Sequence, residues 1–117
     1  MKTRSFCQVL ALSISLALFG CATNKPLDTV SSIKLAEEAF ASQDYQKTLA
    51  LMMPLAKQGN PQAEYVVGYL YYYGQGIAAD SDQAKFWIRK SAEQGHLPAQ
   101  QALSLINDSE STLSNIG

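Results

Sequence analysis

The sequence predicts an all-α fold, a short α-solenoid of antiparallel helix pairs, on three observations. Apolar residues recur at spacings of three and four from residue 33 to residue 106. Glycines and capping residues separate these segments. A shift of 36 residues aligns the chain with itself, placing Asp44 on Asp80 and Gln58-Gly59 on Gln94-Gly95. A period in the mid-thirties is typical of stacked helix pairs.

The first helix pair is predicted from Ser31 onward. Ile33, Ala36 and Phe40 share one face of the first helix. The second helix carries the same spacing, at Tyr45, Thr48, Leu49, Met52 and Ala56.

The middle pair has the clearest pattern. Its two apolar faces follow identical offsets, at Ala63, Val66, Val67, Leu70 and Tyr71 and again at Ala84, Trp87, Ile88, Ser91 and Ala92. Asn60 can cap the helix that Pro61 begins, and Asp80 can cap the next. Gly74 and Gly76 suit the turn between them.

A short helix from Ala99 to Ile106 is predicted to cap the stack, and the polar residues 107–117 are predicted to form a flexible tail. The repeat domain therefore spans residues 31–106, with about two repeats plus the capping helix. Because repeat stacks normally need three or more units, either the terminal helices close the stack or an end face remains for a partner or a second copy of the chain.

The middle segment carries a set of residues at offsets that resemble the Sel1-like repeat, a relative of the tetratricopeptide repeat. The residues that fill the repeat positions are Ala63, Gly68, Tyr71, Gly74, Gly76, Asp80, Ala84, Trp87, Ala92 and Gly95. Val67, Ile77 and Ser91 are mild departures from the usual residues at their positions. The resemblance implies a helical repeat whose first helices line a concave surface for partners. We interpret the ten matched residues as structural.

The N-terminal residues 1–20 have the form of a bacterial lipoprotein signal peptide. Lys2 and Arg4 precede an apolar run from Val9 to Phe19, which is too short to span a bilayer. Cys21 follows Gly20, as in the cleavage box of bacterial lipoproteins, and would be the lipidated first residue. Ordinary cleavage after Ala22 is the alternative and would release a soluble protein.

Lipidation would keep the protein on the membrane, with residues 21–30 as a lipidated cysteine and tether. Ala22 stands where an aspartate, in enteric-type sorting, tends to retain a lipoprotein at the inner membrane. The resemblance therefore favours the periplasmic face of the outer membrane.

Composition and site chemistry argue against an enzyme. His96 is the sole histidine, and it stands where the resembled pattern often has one. No cluster of metal ligands, nucleotide-binding loop or cofactor motif is apparent, so we expect no catalytic residue, metal or cofactor. Without residues 1–20 the net charge is 7 − 10 = −3, and no basic patch suggests nucleic acid.

Four tyrosines on the first helix of the middle pair are the candidate binding residues. Tyr65, Tyr69 and Tyr72 are spaced by four and three residues, and Tyr73 flanks them. We call this set the tyrosine stripe. Tyrosine combines apolar area with a polar tip, which suits recognition of a protein partner. Packing against neighbouring helices is the alternative explanation.

The sequence thus favours a non-enzymatic envelope lipoprotein that acts as an interaction adaptor for an unidentified envelope protein. One alternative is a periplasmic enzyme, or a binder of peptidoglycan or another small molecule, that uses the repeat groove. Another is a truncated relic of a longer repeat array without a partner of its own.

Overall fold

A computed structural model describes residues 28–117, which contain five α-helices and no strand. The helices are α1 (Thr29–Ala41), α2 (Tyr45–Lys57), α3 (Pro61–Tyr73), α4 (Ser81–Glu93) and α5 (Leu97–Ser114). This confirms the predicted all-α class and is consistent with the helical repeat solenoid. The predicted signal peptide, Cys21 and most of the tether lie outside the described residues. Within residues 28–117, no helix has both the length and the apolar character needed to cross a bilayer.

Each helix packs against the next one along the chain, which makes a stack of helix pairs. One core cluster joins the first four helices, through Ala36, Met52, Leu55, Ala56, Ala63, Val67 and Trp87. Tyr71 is half-buried and packs against this cluster. A second cluster joins α4 to α5, through Ile88, Ala92, Ala99 and Ile106.

Small residues let α3 and α4 approach each other closely. Ala63 and Ala84 are completely buried. A β-carbon added to Gly68 would lie 2.6 Å from Cγ1 of Ile88 and 3.0 Å from the carbonyl oxygen of Ala84. Larger side chains at these three positions would push the two helix axes apart.

Side-chain caps and left-handed glycines set the helix ends around the middle pair. The side chain of Asn60 accepts a hydrogen bond from the amide of Ala63, and Asp80 accepts from two amides at the start of α4. Gly74 closes α3 with φ +65°, and Gly95 has φ +86° after α4. Gly76 has φ +72° and lies against the backbone of Tyr45, so the turn packs onto the start of α2.

The first helix pair has a shorter internal turn than the middle pair. α2 and α4 begin 36 residues apart (81 − 45), whereas α1 and α3 begin 32 residues apart (61 − 29). The turn between α1 and α2 is therefore four residues shorter, and Gln43, with φ +61°, takes the left-handed conformation there. A uniform shift of 36 consequently misaligns α1, which begins at Thr29 rather than at the predicted Ser31.

The last helix is longer than predicted. Residues 107–117 were expected to form a flexible tail, but α5 continues to Ser114. Hydroxyl groups at Ser109, Ser111, Thr112 and Ser114 donate to carbonyl oxygens three or four residues earlier. A contact between Lys85 and Glu110 also ties this part of α5 to α4. Residues 107–117 show no apolar period, and all of them are exposed. This part of the helix therefore has no buried face.

Candidate partner-binding grooves

The first helices of successive pairs line two grooves on one face of the stack. α3 forms the wall that the grooves share, α5 and α1 form the outer walls, and α4 and α2 supply the floors. This arrangement follows from the antiparallel pairing, because alternate helices lie on the same side of the stack. The helices α1, α3 and α5 therefore form the face on which both grooves lie.

The first groove contains all four residues of the tyrosine stripe, and we call it the tyrosine groove. Its volume is about 330 Å³. Tyr65 and Tyr69 are half-buried, whereas Tyr72 and Tyr73 are 47% and 57% exposed. The other lining residues are Ile88 from α4 and Pro98, Gln101, Ala102, Leu105, Ile106 and Ser109 from α5.

Three of the four aromatic rings of the tyrosine groove form a contiguous set, in which Tyr73 contacts Tyr69 and Tyr72. The ring centroids of Tyr69 and Tyr73 are 4.6 Å apart, and those of Tyr72 and Tyr73 are 4.9 Å apart. Phe40 of α1 lies 5.7 Å from Tyr69 in an edge-to-face arrangement. These separations are typical of stabilising aromatic pairs.

The tyrosine groove contains polar side chains but no charged one. Its lining residues include tyrosine, glutamine and serine side chains and no acidic or basic one. Burial raises the pKa of Tyr69 above its ordinary value of 10.0, and the nearby Tyr73, Tyr45 and Tyr65 raise it further. The Tyr69 hydroxyl therefore stays protonated and able to donate a hydrogen bond well above neutral pH.

The second groove lies between α1 and α3, has a volume of about 200 Å³, and is called the apolar groove here. Its lining residues are Ala36, Glu37, Phe40, Ala41, Thr48, Met52, Gln62, Val66 and Tyr69. The Glu37 carboxylate accepts a hydrogen bond of 3.0 Å from the side-chain amide of Gln62. Tyr69 lines both grooves, so the two form neighbouring sites on one surface.

Sequence reasoning placed Phe40 only on a packing face and missed its place in the apolar groove. When α1 and α3 are aligned by their first residues, Phe40 corresponds to Tyr72. That alignment extends the aromatic surface to α1, but it can be made only when the length of the turn between α1 and α2 is known.

A buried carboxylate, also missed from sequence, connects α3 to α4. Glu64 is completely buried, and its Oε2 accepts a 2.6 Å hydrogen bond from Gln94. The Lys90 ammonium lies 3.6 Å from Oε1 and also stands over the Trp87 ring, 5.2 Å from the centroid. Ser91 donates a 2.6 Å hydrogen bond to the carbonyl of Pro61 beside it. These two hydrogen bonds and the ion pair join α3 to α4.

His96 directly precedes Leu97, the first residue of α5. It is half-buried, and its ring centroid is 5.4 Å from that of Tyr65. Within residues 28–117, no group of three or more histidine, cysteine, aspartate or glutamate residues is arranged to hold a metal ion.

Comparison with known proteins relates the middle helix pair to a family. Residues 61–96 match the model of the Sel1 repeat. An uncharacterized protein of Neisseria meningitidis serogroup B is 36% identical over 61 residues, which cover 52% of this chain and 13% of that protein. The chain thus corresponds to a small part of that relative. From the start of α3 to the turn before α5, the chain is similar to the Sel1 repeat family.

Proposed function

We propose that this protein is a non-enzymatic adaptor that binds a protein partner in the tyrosine groove. Sel1 repeats generally mediate protein–protein interaction. Tyrosine is enriched among the residues that dominate binding energy at protein interfaces, because it buries a large area at a low cost in conformational entropy. The groove supplies four such residues side by side.

The exposure of Tyr72 and Tyr73 is the observation that carries this proposal. The core positions of α3, including Ala63, Val67 and Leu70, are completely buried. Tyr72 and Tyr73 instead keep about half of their surface in water, although the Tyr73 ring contacts the rings of both Tyr72 and Tyr69. Contiguous exposed aromatic side chains at the mouth of a groove are typical of a surface that binds a partner.

The proposed cellular site is the periplasmic face of a bacterial outer membrane, with the acyl anchor at Cys21. The short segment between Cys21 and α1 would hold the grooves near the bilayer and raise their effective concentration for a membrane-associated partner. Labelling cells with a palmitate analogue tests this directly. Wild type should carry the label and sediment with membranes, whereas Cys21→Ala should lose both. An unlabelled wild-type protein in the soluble fraction would support cleavage after Ala22.

A photo-crosslinking experiment tests the adaptor proposal. p-Benzoylphenylalanine replaces Tyr73 in the full chain, and cells are irradiated before the captured proteins are identified by mass spectrometry. Phe86 on α4 is the matched control, because it is aromatic and 50% exposed but lines neither groove. One recurrent partner from position 73, absent from position 86, supports the adaptor. Capture of the same proteins from both positions contradicts it.

The second candidate is a binder of peptidoglycan fragments or another small molecule, or an enzyme acting on one. The volume of the tyrosine groove, about 330 Å³, lies at the small end of the range for ligand pockets and favours this alternative over an open helix face. Calorimetric titration of the full chain with muropeptides and β-lactams tests it. Saturable heat that disappears on replacement of Tyr72 and Tyr73, or turnover of either compound, would favour it over the adaptor.

A further inference from the structure

The chemistry of the tyrosine groove restricts what its occupant can be. The lining offers aromatic faces, tyrosine hydroxyls and the Gln101 amide, but no charged group. A charged side chain buried there would lose hydration without gaining an ionic partner. The contacting part of the occupant is therefore uncharged, and its polar atoms are ones that tyrosine and glutamine can hydrogen-bond.

The polar groups of the groove disfavour the regular peptide conformations as occupants. The backbone carbonyl oxygens of an α-helix accept hydrogen bonds within the helix, so the tyrosine hydroxyls of the groove would find no free backbone acceptors along it. A peptide added as a β-strand needs a free sheet edge, and residues 28–117 contain no strand. An extended segment whose carbonyl oxygens are free suits the groove better.

A polyproline II segment meets these conditions. Its side chains are uncharged when it is rich in proline, its pyrrolidine rings pack on aromatic faces, and it is already ordered before binding. Its carbonyl oxygens have no internal hydrogen bonds and can accept from tyrosine hydroxyls. The contiguous rings of Tyr69, Tyr73 and Tyr72, with successive centroids 4.6 and 4.9 Å apart, supply the aromatic lining on which such a segment packs.

We propose that the tyrosine groove binds an uncharged, proline-rich segment of the partner protein in the polyproline II conformation. This inference rests on the adaptor function proposed above. Residues 28–117 carry six lysine and arginine residues against ten aspartate and glutamate residues, a net charge of 6 − 10 = −4. The flanks of the proline-rich segment, outside the groove, are therefore expected to be neutral or basic.

The test is a calorimetric titration of the full chain with decaproline blocked at both ends. We expect saturable binding that changes little between low and high salt, because the groove is uncharged. A blocked Gly-Ser decapeptide, which is uncharged but flexible, should bind at least about tenfold more weakly because it must be ordered first. Equal binding of the two peptides, or no saturation by decaproline, would overturn the proposal.

Three variants locate the binding on the groove. Tyr72→Ser with Tyr73→Ser should weaken decaproline binding about tenfold or more, a loss of about 1.4 kcal/mol per factor of ten. Phe86→Ser removes an equally exposed aromatic side chain elsewhere and should leave the affinity unchanged. Tyr69→Phe keeps the ring but removes the hydroxyl donor, and should give a smaller loss than the double variant. Equal effects of the groove variants and Phe86→Ser would contradict the assignment.

The crosslinking experiment separates this inference from the function on which it rests. A partner captured at position 73 that contains no proline-rich segment would overturn the inference and leave the adaptor in place. Decaproline binding in the groove without any captured partner in cells would contradict the adaptor proposal instead.

Discussion

Gly68 shows at the scale of one residue how packing overrides helix propensity. Alanine is favoured over glycine in a helix by about 1 kcal/mol. At this position, however, the new β-carbon would lie 3.0 Å from the backbone oxygen of Ala84 and 3.1 Å from the backbone nitrogen of Ile88. Backbone atoms cannot move aside without displacing α4, and overpacking of this kind costs about 1–3 kcal/mol.

We therefore expect Gly68→Ala to lower the free energy of unfolding by about 1 kcal/mol, measured by urea denaturation. Ser104→Ala is the matched control, because Ser104 lies 36 residues later at the same helical position of α5 and is exposed. The control should change stability by less than about 0.5 kcal/mol. A Gly68→Ala protein as stable as wild type would show that the two helices are not closely packed there.

Tyr69 gives a second prediction at this scale. Its pKa is raised in the folded protein, so the folded state holds the phenolic proton more tightly than the unfolded state does. The stabilisation is complete below the unfolded pKa of about 10 and is lost as the pH rises through the folded value. Unfolding measured from pH 9 to 12 should show a steeper loss of stability in wild type than in Tyr69→Phe. Parallel curves would contradict the assignment.

At the scale of elements, helix α4 depends on its N-terminal cap. Asp80 accepts hydrogen bonds of 3.0 Å from the amides of both Asp82 and Gln83. Asp80→Ala should lower the free energy of unfolding by about 1 kcal/mol, measured by thermal denaturation. Asp80→Asn should retain most of the stability of the wild type, because asparagine also caps helices well. Equal losses in the two variants would show that the negative charge, rather than the capping geometry, stabilises the helix.

The contact between α3 and α4 gives a second prediction for an element pair. Lys90→Met leaves the buried Glu64 carboxylate without its cation and should cost about 1–2 kcal/mol, less than a fully buried pair because Lys90 is 41% exposed. Adding Glu64→Gln removes the charge and should restore part of that loss, as measured by urea denaturation. A double variant less stable than Lys90→Met alone would contradict this account.

The elements also show where sequence reasoning succeeds. Local signals suffice to predict α3 and α4, because their apolar periods lie within each helix and their capping residues lie directly beside it. The position of α1 within its repeat could not be predicted from the 36-residue period, since its turn is four residues shorter. The burial of Glu64 depends on Lys90 and Gln94, which lie on another helix, and a glutamate in a helix is usually exposed.

At the scale of the whole molecule, the stack brings together residues that are distant in the chain. The tyrosine stripe is apparent from the spacing within α3, but the opposite wall of the groove comes from Pro98, Gln101 and Leu105 on α5. The sequence could not predict a groove there, because the placement of α5 beside α3 depends on contacts between helices rather than on the spacing within one helix. Of the groove residues on α5, only Ser109 lies beyond the C-terminal end of the predicted capping helix.

We propose that the exposed tyrosines of this groove bind a partner rather than stabilise the fold. The most direct test compares thermal unfolding and partner recovery for Tyr72→Ala with Tyr73→Ala, using affinity-tagged full chain from cells and Phe86→Ala as the control. The account predicts a loss of stability below about 1 kcal/mol with loss of the partner in the double variant alone. A marked fall in stability, with the partner still recovered, would contradict it.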